Sequence, residues 1–152
     1  MKTRITLLTA IFLLAWLNPG MAASNDEDFD LDAAFASAFA ADWVDSWNSH
    51  DLERVLAHYT DDFSMSSLRI SFLGFDESGT LHGKDAVREY WAPSLGENSQ
   101  VDFQLITTLL APDSITIYYR ATRGGRLAAE VFIFDENGKV KQSIAHYDVE
   151  SL

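Results

Sequence analysis

The spacing of the hydrophobic residues changes once along this chain, and that change restricts the fold more than any other feature. From Leu31 the large apolar side chains stand at Phe35, Phe39, Trp43 and Trp47, a four-residue spacing filled with alanines that puts one aromatic stripe on a helix. Asn48-Ser49-His50 interrupts the stripe, and Asp51 stands where it caps a second, short helix reaching Tyr59, with Leu52, Val55 and Leu56 on its buried side. Residues 63–67 read as a short strand, and the stretch that follows, with Gly74, Gly79 and Gly83, reads as a long loop or irregular hairpin. Lys84 opens a third helix, apolar at Ala86, Val87, Tyr90, Trp91 and Leu95, which Pro93 weakens and Gly96 stops. Beyond it the spacing becomes that of strands, at residues 101–111, 114–122, 126–134 and 139–149. Pro112-Asp113, Gly124-Gly125 and Glu136-Asn137-Gly138 supply the turns. Three helices followed by an antiparallel meander define an α+β domain, and 152 residues have room for one.

Composition removes several classes of function. With 11 Lys and Arg against 23 Asp and Glu, a formal charge of −12, the chain has no basic surface to displace counterions from nucleic acid, and anionic membranes are disfavoured for the same reason. The absence of cysteine rules out disulfides, thiolate metal sites and a cysteine nucleophile. A hydrophobic fraction of 47% is enough for a conventional core. At the N-terminus Lys2 and Arg4 precede an apolar run over residues 5–17 that ends at Asn18-Pro19-Gly20 and is followed by Ala22 and Ala23. This pattern predicts a signal peptide over residues 1–23 and an exported protein, periplasmic or secreted, with a permanent N-terminal anchor as the alternative. The run is shorter than the roughly 20 residues a bilayer-spanning helix needs. Residues 24–32 are an acidic tail or first helical turn, and residues 33–152 form the domain.

Glu130 is the leading candidate for chemistry. It stands among Ala128, Ala129, Val131 and Phe132 in a strand that should be buried, where a carboxyl group must be paired or protonated. Its neighbour depends on the hairpin at Gly124-Gly125. A two-residue turn places Tyr119 opposite Glu130; one more loop residue places Tyr118 there, with Arg120 diagonal to it. The structural alternative is an Arg–Glu pair that fixes the sheet. His50, His58 and His82 have no metal-like spacing, so no metal site is expected, and no motif calls for a cofactor. Asp61-Asp62 follow a helix and point in different directions, as capping and solvated groups do.

Three stretches resemble the SnoaL-like branch of the nuclear transport factor 2-like superfamily: Trp47-Asn48-Ser49-His50-Asp51-Leu52 followed by Tyr59-Thr60-Asp61-Asp62-Phe63; Gly83-Lys84-Asp85-Ala86-Val87-Arg88-Glu89-Tyr90-Trp91; and residues 130–140 ending in Ala145-His146-Tyr147. The resemblance implies a cone, three helices over a strongly curved antiparallel sheet, enclosing an apolar pocket and dimerising through the outer sheet surface. It favours the register that puts Tyr118, Arg120 and Glu130 on the pocket face, and points to Tyr147 inward and His146 outward, although alternation alone allows either one of that pair to line the pocket. Trp43, Trp47, Tyr59, Trp91, Phe132 and Tyr147 would converge on the interior of such a cone. Matched to the ketosteroid isomerase pattern, Trp43 stands where those enzymes have a tyrosine, Ser67 where they have a base, and Glu130 at the protonated acid; a serine is no base at neutral pH without an activating partner, which disfavours that reaction.

Function does not follow from such a fold, because the same cone hosts both enzymes and proteins without catalysis. The reading carried forward is a homodimer that binds a small apolar or aromatic molecule, with no nucleic-acid partner and no membrane association after signal cleavage. The first alternative is a cofactor-independent lyase, isomerase or hydrolase with Glu130 as acid or base and Tyr118 and Arg120 holding a developing oxyanion. The second is a non-catalytic dimerisation or partner-binding module.

Overall fold

The computed structural model describes residues 29–96, 99 and 101–151. The signal peptide expected over residues 1–23 lies outside the described residues. Helix α1 (Ala33–Asn48) starts at Asp32, whose carboxylate accepts the Phe35 amide at 2.7 Å, so the last acid of the lead-in is a helix cap. Phe29 packs edge-on against Phe35, 4.8 Å between ring centres, and near Phe134. The packed unit therefore starts before residue 33, where the sequence reading had put the boundary.

Helix α2 (Leu52–Leu56) is capped by Asp51 as expected, but it stops short of Tyr59, which begins strand β1 (Tyr59–Ser67). Pairing wins over helix extension here: Tyr59 lies beside Val140, whose amide donates to the His58 carbonyl at 2.9 Å. Within the stretch read as a loop lie a short helix α3 (Leu68–Phe72), capped by Ser67 Oγ, and a strand β2 (Thr80–His82) paired with β1. Helix α4 (Lys84–Leu95) follows with Pro93 in its last turn and Gly96 at its end. The described residues thus contain four α-helices rather than the three expected; the fourth was missed because five residues hold too little periodicity to read.

Strands β3 (Phe103–Leu110), β4 (Ser114–Ala121), β5 (Leu127–Phe134) and β6 (Val140–Tyr147) form the expected meander, and a 3-10 turn (Val149–Ser151) follows. The six strands lie in the order β2-β1-β6-β5-β4-β3. The sheet is mixed and not purely antiparallel, because β1 runs parallel to β6. A tight turn would have imposed antiparallel pairing on them, but two helices and four strands intervene between the two. Extra residues at Ile106 in β3 and at Lys141 in β6, the latter opposite Ile133 and Phe134, break the regular register and add local bend and twist to the sheet.

The inner face of the sheet follows strict alternation: Ile115, Ile117 and Tyr119 on β4, and Ala128, Glu130, Phe132 and Phe134 on β5, are all buried. Helix α1 lies across this face with its aromatic stripe inward. Phe39 meets Phe132 and Phe134 at ring-centre distances of 5.1 and 4.9 Å, and Trp43 meets Phe132 at 5.4 Å. Full burial of Phe132 contributes roughly 1.5–3 kcal/mol. The end of α1 is fixed by Asn48, which donates to the Phe103 carbonyl at 2.9 Å and accepts the Phe103 amide at 2.7 Å. The Asn48-Ser49-His50 break is therefore also the joint that sets one wall of the interior.

Candidate functional site

The aromatic stripe fills only part of the cone. A cavity of about 680 Å³ remains between α1, α4 and the inner sheet face, with Trp43, Trp47 and Trp91 on one side and Tyr119, Glu130 and Tyr147 on the other. Its size falls within the range of pockets that enclose small molecules.

Glu130 stands in its wall, on the inner face of the sheet. Alternation along β5 turns its side chain inward, and the residues paired with it are Ile117 on β4 and Ala145 on β6. The residue is 3% exposed, and Oε1 has no hydrogen-bond partner. Ser143 Oγ lies near enough to hold the carboxyl down slightly, yet that hydroxyl also completes no hydrogen bond of ordinary geometry. Burial dominates and pushes the Glu130 carboxyl up to about 7.

The register corrects the expected partners. Tyr118 lies opposite Ala129 and Arg120 opposite Leu127, so both side chains point away from the cavity, and Arg120 instead donates to the Gly125 carbonyl at 3.4 Å. Both loop lengths considered from the sequence were too short. The Ala121 amide donates to the Arg126 carbonyl at 2.8 Å, which leaves residues 122–125 as the loop. Thr122 is drawn out of the hairpin by Asp102, whose carbonyl accepts both its amide and its hydroxyl, at 2.8 and 2.9 Å. This register puts Tyr119 on the interior face with Glu130, as the shorter of the two loops would also have done. Burial, and after it the Glu130 charge, push the Tyr119 phenol well above its usual value.

Of the expected lining aromatics, Trp43, Trp47, Trp91 and Tyr147 line the cavity. Tyr59 and Phe132 stand behind the wall, fully buried, and Tyr59 Oη accepts the Trp43 indole N–H at 2.9 Å. Tyr147 Oη and Ser67 Oγ are hydrogen-bonded at 2.8 Å, and burial raises the Tyr147 phenol. His146 is exposed opposite Ala129 on the outer face, so its place among the pocket residues is corrected: alternation gives the interior to Tyr147. His50 Nε2 faces the Val101 carbonyl at 2.7 Å, a joint contact outside the cavity. Among the described residues no group of three or more histidines and acids is placed to hold a metal ion.

The sequence reading missed Tyr90, Arg69, Arg123 and Arg126, all of which line the cavity. Tyr90 carried a signal, since it shares the buried face of α4 with Val87 and Trp91; the arginines carried none, because they lie on α3 and around the hairpin loop. A second hollow of about 390 Å³ lies over Asp42, Arg54 and His58. Its polar groups are engaged: Arg54 reaches Asp42 and Asp45 at 2.8 and 2.7 Å, His58 reaches Asp42 at 2.9 Å, and Lys139 Nζ donates to the Ala57 carbonyl at 2.8 Å.

With this cone and cavity in view, the comparisons agree on the class. The SnoaL-like domain model matches residues 40–143, and the chain belongs to that family, with the nuclear transport factor 2-like α+β cone fold. A SnoaL-like protein of unknown function from Burkholderia thailandensis E264 is 42% identical, with 79% of this chain and 99% of that one covered and a TM-score of 0.74. SalBIII, an epoxide hydrolase/cyclase-like enzyme of pyran ring formation in the polyether salinomycin, shares the fold at 15% identity, with 79% and 95% covered and a TM-score of 0.62. An NTF2-like protein of unknown function from Cytophaga hutchinsonii shares it at 7% identity, with 76% and 92% covered and a TM-score of 0.59. No curated protein matches this chain.

Proposed function

We propose that this protein binds a small, largely apolar or aromatic molecule in the cone and engages one polar group of that molecule with the Glu130 carboxyl. The observation that carries the reading is Glu130 itself. A buried carboxyl with an unpartnered oxygen at the edge of an aromatic cavity is costly unless something supplies the missing hydrogen bond. A ligand carbonyl or ether oxygen accepts from the protonated acid, and a ligand hydroxyl donates to the carboxylate.

Native mass spectrometry of the protein purified from its own source, with tryptophan-fluorescence titration of aromatic probes, tests this. The expected result is a discrete bound mass, with probe affinity at least about tenfold weaker in Glu130→Leu. Bare polypeptide mass together with no probe binding overturns the reading. The same spectrum tests the proposals of signal cleavage near residue 23 and of a homodimer.

A second reading, cofactor-independent acid–base catalysis of lyase, isomerase or hydrolase type, is favoured by one further fact. A carboxyl raised to about 7 exchanges its proton efficiently near neutrality. SalBIII shares only the fold, so its chemistry lends no residue role here. Glu130→Gln separates the two readings: binding kept and turnover lost identifies an enzyme, whereas binding kept with no turnover in either form identifies a binding module.

A further inference from the structure

Positive charge is scarce in this protein, with 11 Lys and Arg against 23 Asp and Glu, yet it is concentrated at the cavity. Among the described residues, three arginines, Arg69, Arg123 and Arg126, line it, against two acids, Asp102 and Glu130. Glu130 is the buried group described above, so near neutrality it offsets the arginines only in part.

Away from the cavity, Arg54 pairs with Asp42 and Asp45, Lys84 with Asp61, and Arg88 with Glu53, while Arg120 and Lys139 donate to backbone carbonyls instead. Among the described residues, none of the three cavity arginines is within ion-pair distance of a carboxylate. Arg69 lies on α3 with its guanidinium 5.1 Å from the Tyr147 ring centre, and its charge reaches the phenols of Tyr119 and Tyr147. Arg123 and Arg126 come from the β4–β5 hairpin, which Thr122 ties to Asp102 through the backbone carbonyl. The mouth is therefore cationic on two sides, and the interior behind it is aromatic. All three arginines are exposed at the rim, where salt screens them, but a concave wall concentrates their field, and guanidinium groups match carboxylates in a bidentate geometry that lysine cannot offer.

Resting on the pocket reading above, we infer that the ligand is an amphipathic anion, an aromatic or alicyclic body seated against Trp43, Trp47 and Trp91 with a carboxylate tail held at the mouth by Arg69, Arg123 and Arg126. The tail meets the arginines while the body reaches Glu130, so the two polar ends of the site select for length as well as charge. An acidic protein surface repels anions in general; the cationic mouth makes the cavity the place where one is accepted.

Two matched fluorescent probes test this: 1-pyrenebutyrate and its uncharged primary amide, titrated against the full protein by tryptophan quenching at low and high salt. The carboxylate binds about tenfold more tightly than the amide at low salt, and the preference shrinks at high salt. In the triple variant Arg69→Gln, Arg123→Gln, Arg126→Gln the preference disappears while amide binding persists. Asp102→Asn leaves the backbone carbonyl in place, removes the opposing charge and increases the preference, an effect of opposite sign that loss of folding would not produce. Equal affinity for the two probes in the unmodified protein, or a preference that survives the triple variant, overturns the anion inference and leaves the pocket reading intact. Failure of both probes to bind overturns this inference, and together with a bare polypeptide mass it overturns the pocket reading as well.

Discussion

Two buried polar pairs face the same interior and are treated in opposite ways. At the closed side, the Trp43 indole N–H donates to Tyr59 Oη at 2.9 Å, with Phe63 and Trp91 packed at a tilt around the tyrosine, and both polar atoms are satisfied. At the open side, Glu130 Oε1 and Ser143 Oγ lie on adjacent strands with no completed hydrogen bond to each other or to another protein group, beside the cavity. The first arrangement stabilises the fold; the second costs stability, because an unpaired buried polar group forfeits its hydration without replacement. Ser46, Trp47 and Thr60 also hold buried polar atoms without a partner, so the unpaired atom alone does not set the open side apart; the combination of a buried carboxyl with the cavity does.

The largest expected effect lies on the closed side. Phe132→Ala removes a fully buried ring that meets Phe39 and Trp43, and should cost about 3–5 kcal/mol in urea unfolding. A much smaller loss would mean that this side is also loosely packed, and the contrast would collapse.

Glu130→Gln should act in the other direction. The folded-state pKa of about 7 stands above the usual 4.5, so the folded state binds the proton more tightly. Relative stability is then fullest below about pH 4.5 and declines as pH rises through 7, where the ionised group costs about 3 kcal/mol. The glutamine variant is accordingly more stable than the parent by about that amount at pH 8, and the difference fades toward pH 4.5. Thermal unfolding of both proteins across this range checks it, and a pH-independent difference would show that Glu130 is already compensated.

Tyr59→Phe leaves the Trp43 N–H buried without its acceptor and should lose about 1–3 kcal/mol. Ser143→Ala, the matching deletion on the open side, should change stability by less than about 1 kcal/mol, because its hydroxyl completes no bond to lose. The same variant should raise the Glu130 pKa further, since that hydroxyl opposes the rise; carboxyl carbon NMR reads it directly. If Ser143→Ala costs as much as Tyr59→Phe, the two pairs are equivalent and the open side is merely core.

The residues that carry most of the site were legible because their signals are local. Phe39, Trp43 and Trp47 lie one helical turn apart, and Glu130 alternates with Ala128 and Phe132 on a strand whose neighbours are apolar. The partners of Glu130 were not legible. Tyr118 and Arg120 were expected at its side, and they face outward because Thr122 bonds to Asp102, a residue on the approach to another strand. A contact between distant segments sets the hairpin length, and the hairpin length sets which face every β4 side chain takes.

Helix α3 and the parallel β1–β6 pair were hidden for the same reason: each depends on what the chain meets after folding. The cavity arginines come from α3 and the hairpin loop, where composition gives no hint that they converge. What the sequence determined by itself was the inventory: one α+β domain, an aromatic helix face, a carboxyl inside a buried strand, and an acidic balance. Those follow from periodicity and hydration, which neighbouring residues settle among themselves. Tertiary structure alone decided which tyrosine faces Glu130, that the carboxyl stays unpaired, and that scarce positive charge gathers at the mouth. These depend on register and on the path of the backbone between distant strands, and no local pattern encodes either.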